Sequence, residues 1–132
     1  MTPHGHFNWN ELVTRDAERV KRFYAEQIGW SYEGNPLPGG GTYWTATMNG
    51  ARVTGIYEVS GPEFASMPDN WMPYLAVDDV DARVKKAVAA GATLVKPIFD
   101  IPNVGRMAIL MQPGGVGVGW ITPTQNQSPK ST

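Results

Sequence analysis

Apolar and polar residues follow two different periods along this chain, and each change of period marks an element. Phe7 to Thr14 reads as a strand, and Asp16 after it suits a helix N-cap because its carboxylate can accept a free amide proton of the first turn. From about Ala17 to Ile28 the apolar residues Val20, Phe23, Tyr24 and Ile28 recur at helical spacing, opposed by Glu18, Lys21, Arg22 and Glu26, and Gly29 is the stop. Such a helix is expected to lie against a sheet. A short strand at Trp30–Tyr32, a turn from Asn35 to Gly41, and strands at Thr42–Met48 and Ala51–Val59 follow, the last two joined by the hairpin signal Asn49-Gly50. The order is βαβββ.

The same order then repeats. Trp71–Val77 is a predicted strand, Asp79–Ala90 a helix stopped by Gly91, and Thr93–Pro97 a short strand; Arg106–Met111 and Val116–Thr122 are strands joined through Pro113-Gly114-Gly115. Arg19-Val20-Lys21-Arg22 and Arg83-Val84-Lys85-Lys86 lie 64 residues apart in a chain of 132. Their surroundings match as well: Asn10-Glu11-Leu12-Val13 leads to Asp16 as Tyr74-Leu75-Ala76-Val77 leads to Asp79. The expected fold class is therefore α+β. Residues 1–59 form a first module, 60–70 a linker and 71–123 a second module within one structural domain, and 124–132 form a polar, frayed tail.

Composition narrows the function. The formal charge of -1, from 11 basic and 12 acidic residues, lacks the footprint of a nucleic-acid binder or a polybasic membrane protein. The absence of cysteine excludes disulfides, thiolate metal sites and cysteine nucleophiles together. Apolar runs are only a few residues long and the N-terminus has no signal-peptide pattern, so a cytoplasmic protein with no membrane partner is expected. Gly39-Gly40-Gly41 precedes a strand and lacks the following Gly-Lys-Ser/Thr of a phosphate loop.

Two βαβββ modules, a helix containing Phe23-Tyr24 and ending Ile28-Gly29-Trp30, the run from Ala76 to Ala82, and a late Gln112-Pro113-Gly114-Gly115 together resemble the vicinal oxygen chelate superfamily. That superfamily includes glyoxalase I, bleomycin-resistance proteins and extradiol dioxygenases. The resemblance spans Phe7 to Pro123 and implies curved mixed sheets around a cavity, and a homodimer. In metal-dependent members the ligands are a His or Gln seven residues before the helix-capping Asp, and a Glu or His near the middle of each module's last strand. The corresponding residues here are Trp9, Met72, Gly55 and Gly119, none of which supplies an imidazole nitrogen or a carboxylate oxygen. Neither a metal nor another cofactor is expected.

The residues at those positions suggest a different cavity. Gly55 and Gly119 are expected to open space, lined by Trp9, Met72 and Tyr74 and joined by Tyr57, by Tyr43 or Trp44, and by Met107. Such a lining suits flat or apolar organic ligands. The plainer alternative is that these aromatics fill the core and a dimer interface. Glu11 shares the strand face of Trp9, and burial in an apolar setting would raise its pKa and fit it for acid or base work. A structural Glu11 paired with Arg106 or Tyr74 is the competing reading. His4 and His6 could share a strand face as metal ligands, but a frayed terminus with solvated imidazoles is the simpler reading.

The functional expectation is a metal-free protein that binds a small apolar or aromatic organic molecule. One alternative is a lyase, isomerase or dioxygenase-type enzyme using Glu11 or an unforeseen metal site. A second is a structural or regulatory interaction module.

Overall fold

The computed structural model describes residues 2–124, so most of the expected tail lies outside the described residues. Two compact units emerge, one built from residues 10–71 and the other from residues up to Trp9 together with those from Met72 onward. The chain runs through β1 (Phe7–Thr14), α1 (Ala17–Gln27), β2 (Ser31–Pro36), β3 (Thr42–Met48), β4 (Ala51–Glu58), a single 3-10 turn (Pro62–Phe64), β5 (Asn70–Ala76), α2 (Val80–Ala89), β6 (Thr93–Ile101), β7 (Gly105–Met111) and β8 (Gly117–Pro123). The α+β class and the doubled βαβββ order expected from the sequence are the observed ones.

In the unit of residues 10–71 the strand order is β2-β3-β4-β1, with β1 parallel to β4 and the other pairs antiparallel. The β3–β4 hairpin turns at Asn49-Gly50, where both residues take positive φ, 53° and 83°. Helix α1 starts where Asp16 accepts from the Arg19 amide at 3.1 Å, and Glu58 accepts from the Ala17 amide at 2.9 Å. Its inner side covers one face of the sheet through Leu12, Ala17, Ile56, Val20, Tyr24, Tyr32 and Trp44.

The second unit repeats the scheme with order β5-β8-β7-β6 and β5 parallel to β8. Asp79 caps α2 by accepting from the Ala82 amide at 3.2 Å, and α2 packs with Val80 and Val84 against Val77, Ala108, Leu110 and Val118. The N-terminal residues are tied into this unit. Gly5 donates its amide to the Ala76 carbonyl, the Ala76 amide donates to the His6 carbonyl, and the Asp78 amide donates to His4 Nδ1. The expectation of a frayed terminus is thereby corrected, while the His4 and His6 rings remain exposed to solvent.

Two strands are longer than the sequence suggests. Strand β2 continues to Pro36 and β6 runs through Pro97 to Ile101. Proline lacks an amide donor, yet both prolines lie in strands that pair on one side only within their unit, and β6 carries register shifts on either side of Lys96.

Candidate functional site

Glu11 of β1 pairs in register with Gly55 of β4, and Gly55 pairs with Thr45 of β3. Alternation along a strand puts Tyr43, two residues before Thr45, and Tyr57, two after Gly55, on that same face, away from α1. All four side chains are buried, Glu11 and Tyr43 at 0 % exposure. The Tyr43 hydroxyl donates to Glu11 Oε1 at 2.9 Å. The Tyr43 and Tyr57 rings lie 6.2 Å apart, and Tyr57 meets the edge of Phe64 at 6.4 Å.

Charge and burial set the chemistry of this cluster. Burial first, and then the carboxylates of Glu11 and Glu63, push the Tyr57 phenol up to about 12, so it is a neutral hydroxyl throughout the physiological range. For Glu11, burial disfavours the charged form while the Tyr43 donor favours it. The result is a carboxyl group and two phenols on one face of one sheet, able to exchange hydrogen bonds or a proton with an oxygen-bearing ligand.

The glycines do something other than open a void. A β-carbon on Gly55 would fall onto the Tyr43 hydroxyl, and one on Gly119 onto the Tyr74 ring. Each glycine makes room for a tyrosine in its own unit, which corrects the expected glycine-lined space. Tyr74 pairs with Gly119 as Glu11 pairs with Gly55, so the sequence repeat is also a repeat of register.

Chemistry differs between the repeats. Where the first has Glu11, Tyr43, Thr45 and Tyr57, the second has Tyr74, Met107, Ile109 and Ile121, all buried. Met72 is buried as well, and Trp9 is half-buried. The polar cluster therefore belongs to the first repeat.

Two expected participants lie elsewhere. Trp44 has the opposite parity to Tyr43 and packs on the α1 side, where Lys21 Nζ sits 3.1 Å from its ring centroid. Arg106 engages Asp81 at 2.8 Å and Asp100 at 2.9 Å, so it is not positioned as the partner expected for Glu11. Sequence reasoning missed Thr45, Glu63 and Phe64; sheet register puts Thr45 on the face of Glu11, and a short 3-10 turn brings Glu63 and Phe64 to Tyr57.

The metal of metal-dependent superfamily members does not fit these residues. Trp9, Met72, Gly55 and Gly119 supply no donor atom of the required kind, and Glu11 already accepts from Tyr43. No group of three or more His, Cys, Asp or Glu arranged to hold a metal ion is found among the described residues.

A glyoxalase-like domain family matches residues 10–116. A protein of Mycobacterium tuberculosis (strain CDC 1551 / Oshkosh) named as a glyoxylase, CFP32, is 44% identical over 113 residues, covering 85% of this chain and 43% of the relative. The anthracycline biosynthesis protein DnrV of Streptomyces peucetius is 29% identical over 118 residues, covering 81% and 43%. The chain thus spans less than half the length of these curated relatives. Among solved structures, methylmalonyl-CoA epimerase from Mycobacterium tuberculosis superposes with a TM-score of 0.60 at 14% identity, covering 96% of this chain and 95% of that one. The Mn(II)-bound glyoxalase from Novosphingobium aromaticivorans gives 0.52 at 18% identity, covering 92% and 40%. No helix among the described residues is long and apolar enough to cross a membrane.

Proposed function

The chain belongs to the glyoxalase-like domain family, and from that premise we propose that it binds a small organic molecule with Glu11, Tyr43 and Tyr57 as the polar end of the site and without a resident metal. The observation that carries the reading is the buried Tyr43–Glu11 hydrogen bond at 2.9 Å, on a face that also holds Thr45 and the Tyr57 ring. A buried carboxylate and phenol are costly unless they bond to something, and they select a ligand that offers a hydroxyl or carbonyl. The tyrosine rings favour flat apolar faces beside that oxygen. A relative named for anthracycline biosynthesis supports an organic ligand.

In the other unit Met72, Tyr74, Met107 and Gly119, with the half-buried ring of Trp9, are read as a separate ligand-contact face of that unit. A homodimer working in the cytoplasm is part of the same proposal, supported by the strand edges that β2 and β6 leave unpaired within their units. A thermal-shift screen of aromatic hydroxyl and carbonyl compounds tests it. Hits that stabilise the wild type and not Glu11→Gln support the site; hits that stabilise both equally place binding elsewhere.

A second reading has Glu11 transfer a proton to or from the bound molecule, with Tyr43 holding the carboxyl in place. It is favoured by the full burial of a hydrogen-bonded carboxyl group. Retained binding with lost turnover in Glu11→Gln separates catalysis from binding.

A further inference from the structure

Between β4 and β5 the chain forms a strap whose exposed residues alternate with two buried anchors. Glu63, Ala65, Ser66, Pro68 and Asp69 face solvent, while Phe64 is 2% and Met67 1% exposed. Phe64 starts a series of contacts that ends at the carboxyl group: it meets Tyr57 edge to face, Tyr57 lies against Tyr43, and Tyr43 bonds Glu11. Glu11, Tyr43 and Phe64 are sealed from solvent, and Tyr57 between Phe64 and Tyr43 is 8% exposed.

Little holds the strap down. Its own backbone bonds are local turns, from the Phe64 amide to the Gly61 carbonyl, Ala65 to Pro62 and Met67 to Phe64. Gly61 at φ 102°, followed by Pro62, marks one end, and Pro68 stands near the other. Two side chains reach across, and the longer, Arg15, donates from its guanidinium to Asp69 Oδ1 at 2.9 Å and to the Phe64 carbonyl at 2.7 Å. The Thr14 hydroxyl and the Arg15 amide donate to Asp69 Oδ2 at 3.0 and 3.1 Å. Just past the strap, at the first residue of β5, Asn70 Oδ1 is buried without a hydrogen-bond partner among the described residues. Local turn bonds and one half-exposed ion pair set this segment apart from the paired strands, and the burial of Phe64 and Met67 is what opening has to overcome.

We propose that residues 60–69 are a gate over the Glu11–Tyr43–Tyr57 cluster, with Phe64 as its plug and Arg15 as its latch. The inference rests on the reading of that cluster as a ligand site, but its test needs no ligand. Tetranitromethane nitrates accessible tyrosines, and mass spectrometry resolves the five positions. In the wild type Tyr24 and Tyr32, which are partly exposed, react and Tyr57 is protected. In Arg15→Ala, nitration of Tyr57 relative to Tyr24 rises about fivefold, the effect of losing an exposed ion pair worth up to roughly 1 kcal/mol. Asp69→Asn removes the charge of the latch and raises it in the same direction.

Unchanged Tyr57 nitration in both variants overturns the gate. So does a rise in nitration of Tyr74, which lies outside the cluster, by as much as Tyr57 in both variants, since that reports general unfolding. A failed ligand screen alongside selective Tyr57 exposure discards the ligand reading and leaves the moving strap in place.

Discussion

The Tyr43 hydroxyl stands where a β-carbon on Gly55 would have to be, and from there it donates to Glu11 Oε1 at 2.9 Å. A residue without a side chain on β4 thus sets the position of a phenol from β3 and, through it, of a carboxyl group from β1.

Gly55→Ala is expected to displace Tyr43 and to lower stability by about 1–3 kcal/mol, the usual range for overfilling a packed interior. Gly119→Ala does the same through Tyr74. Urea unfolding followed by circular dichroism checks both; a loss below about 0.5 kcal/mol in either contradicts the packing role assigned to that glycine.

Removing the donor is expected to cost as well. Tyr43→Phe takes one hydrogen bond from a fully buried carboxyl group and should lower stability by ~1–3 kcal/mol. A double-mutant cycle with Glu11→Gln isolates the pair, and a coupling energy near zero would show that the two side chains are neighbours without being partners.

The register that makes this pair was only partly written in the sequence. Asp16, Asp79, Asn49-Gly50 and the 64-residue repeat carry local chemistry, so the caps, the hairpin and the doubled order could be read directly. Glu11 and Gly55 could be aligned with Tyr74 and Gly119 by counting. Tyr43, however, lies 32 residues from Glu11, and which of Tyr43 and Trp44 faces it depends on a strand parity that a pair of adjacent aromatics leaves open. Gly34 lies past the short strand expected at Trp30–Tyr32; in β2 it makes room for the Trp44 ring, 2.9 Å from where its β-carbon would be. Phe64 and Met67 sit in a turn with neither period, so no pattern marked them as buried.

Alkaline pH is expected to weaken the fold through Tyr57. Its folded value, about 12, lies above the ordinary 10.0, so between these values the unfolded chain releases a proton that the folded chain keeps. The contribution is intact below pH 10 and falls away as pH rises toward 12. Urea midpoints measured from pH 8 to 11 should decline less steeply in Tyr57→Phe than in the wild type; parallel curves would mean that the phenol is not held protonated by the fold.

Added metal is expected to leave the protein unchanged. Saturation of a real site at a hundred times its dissociation constant would stabilise by roughly 2.7 kcal/mol. Thermal unfolding with manganese, nickel or zinc, each reversed by chelator, should show no such shift. Chelator-reversible stabilisation at stoichiometric metal would overturn the donor-set argument built on Trp9, Met72, Gly55 and Gly119.

The central claim is that the Glu11–Tyr43 pair recognises a ligand, and calorimetric titration of one panel of aromatic hydroxyl and carbonyl compounds into three proteins tests it most directly. Wild type should bind at least one member, and Glu11→Gln and Tyr43→Phe should each bind it about tenfold or more weakly, as loss of a charge-assisted hydrogen bond implies. Equal affinity in all three proteins, or no binding by the wild type across the panel, would contradict it.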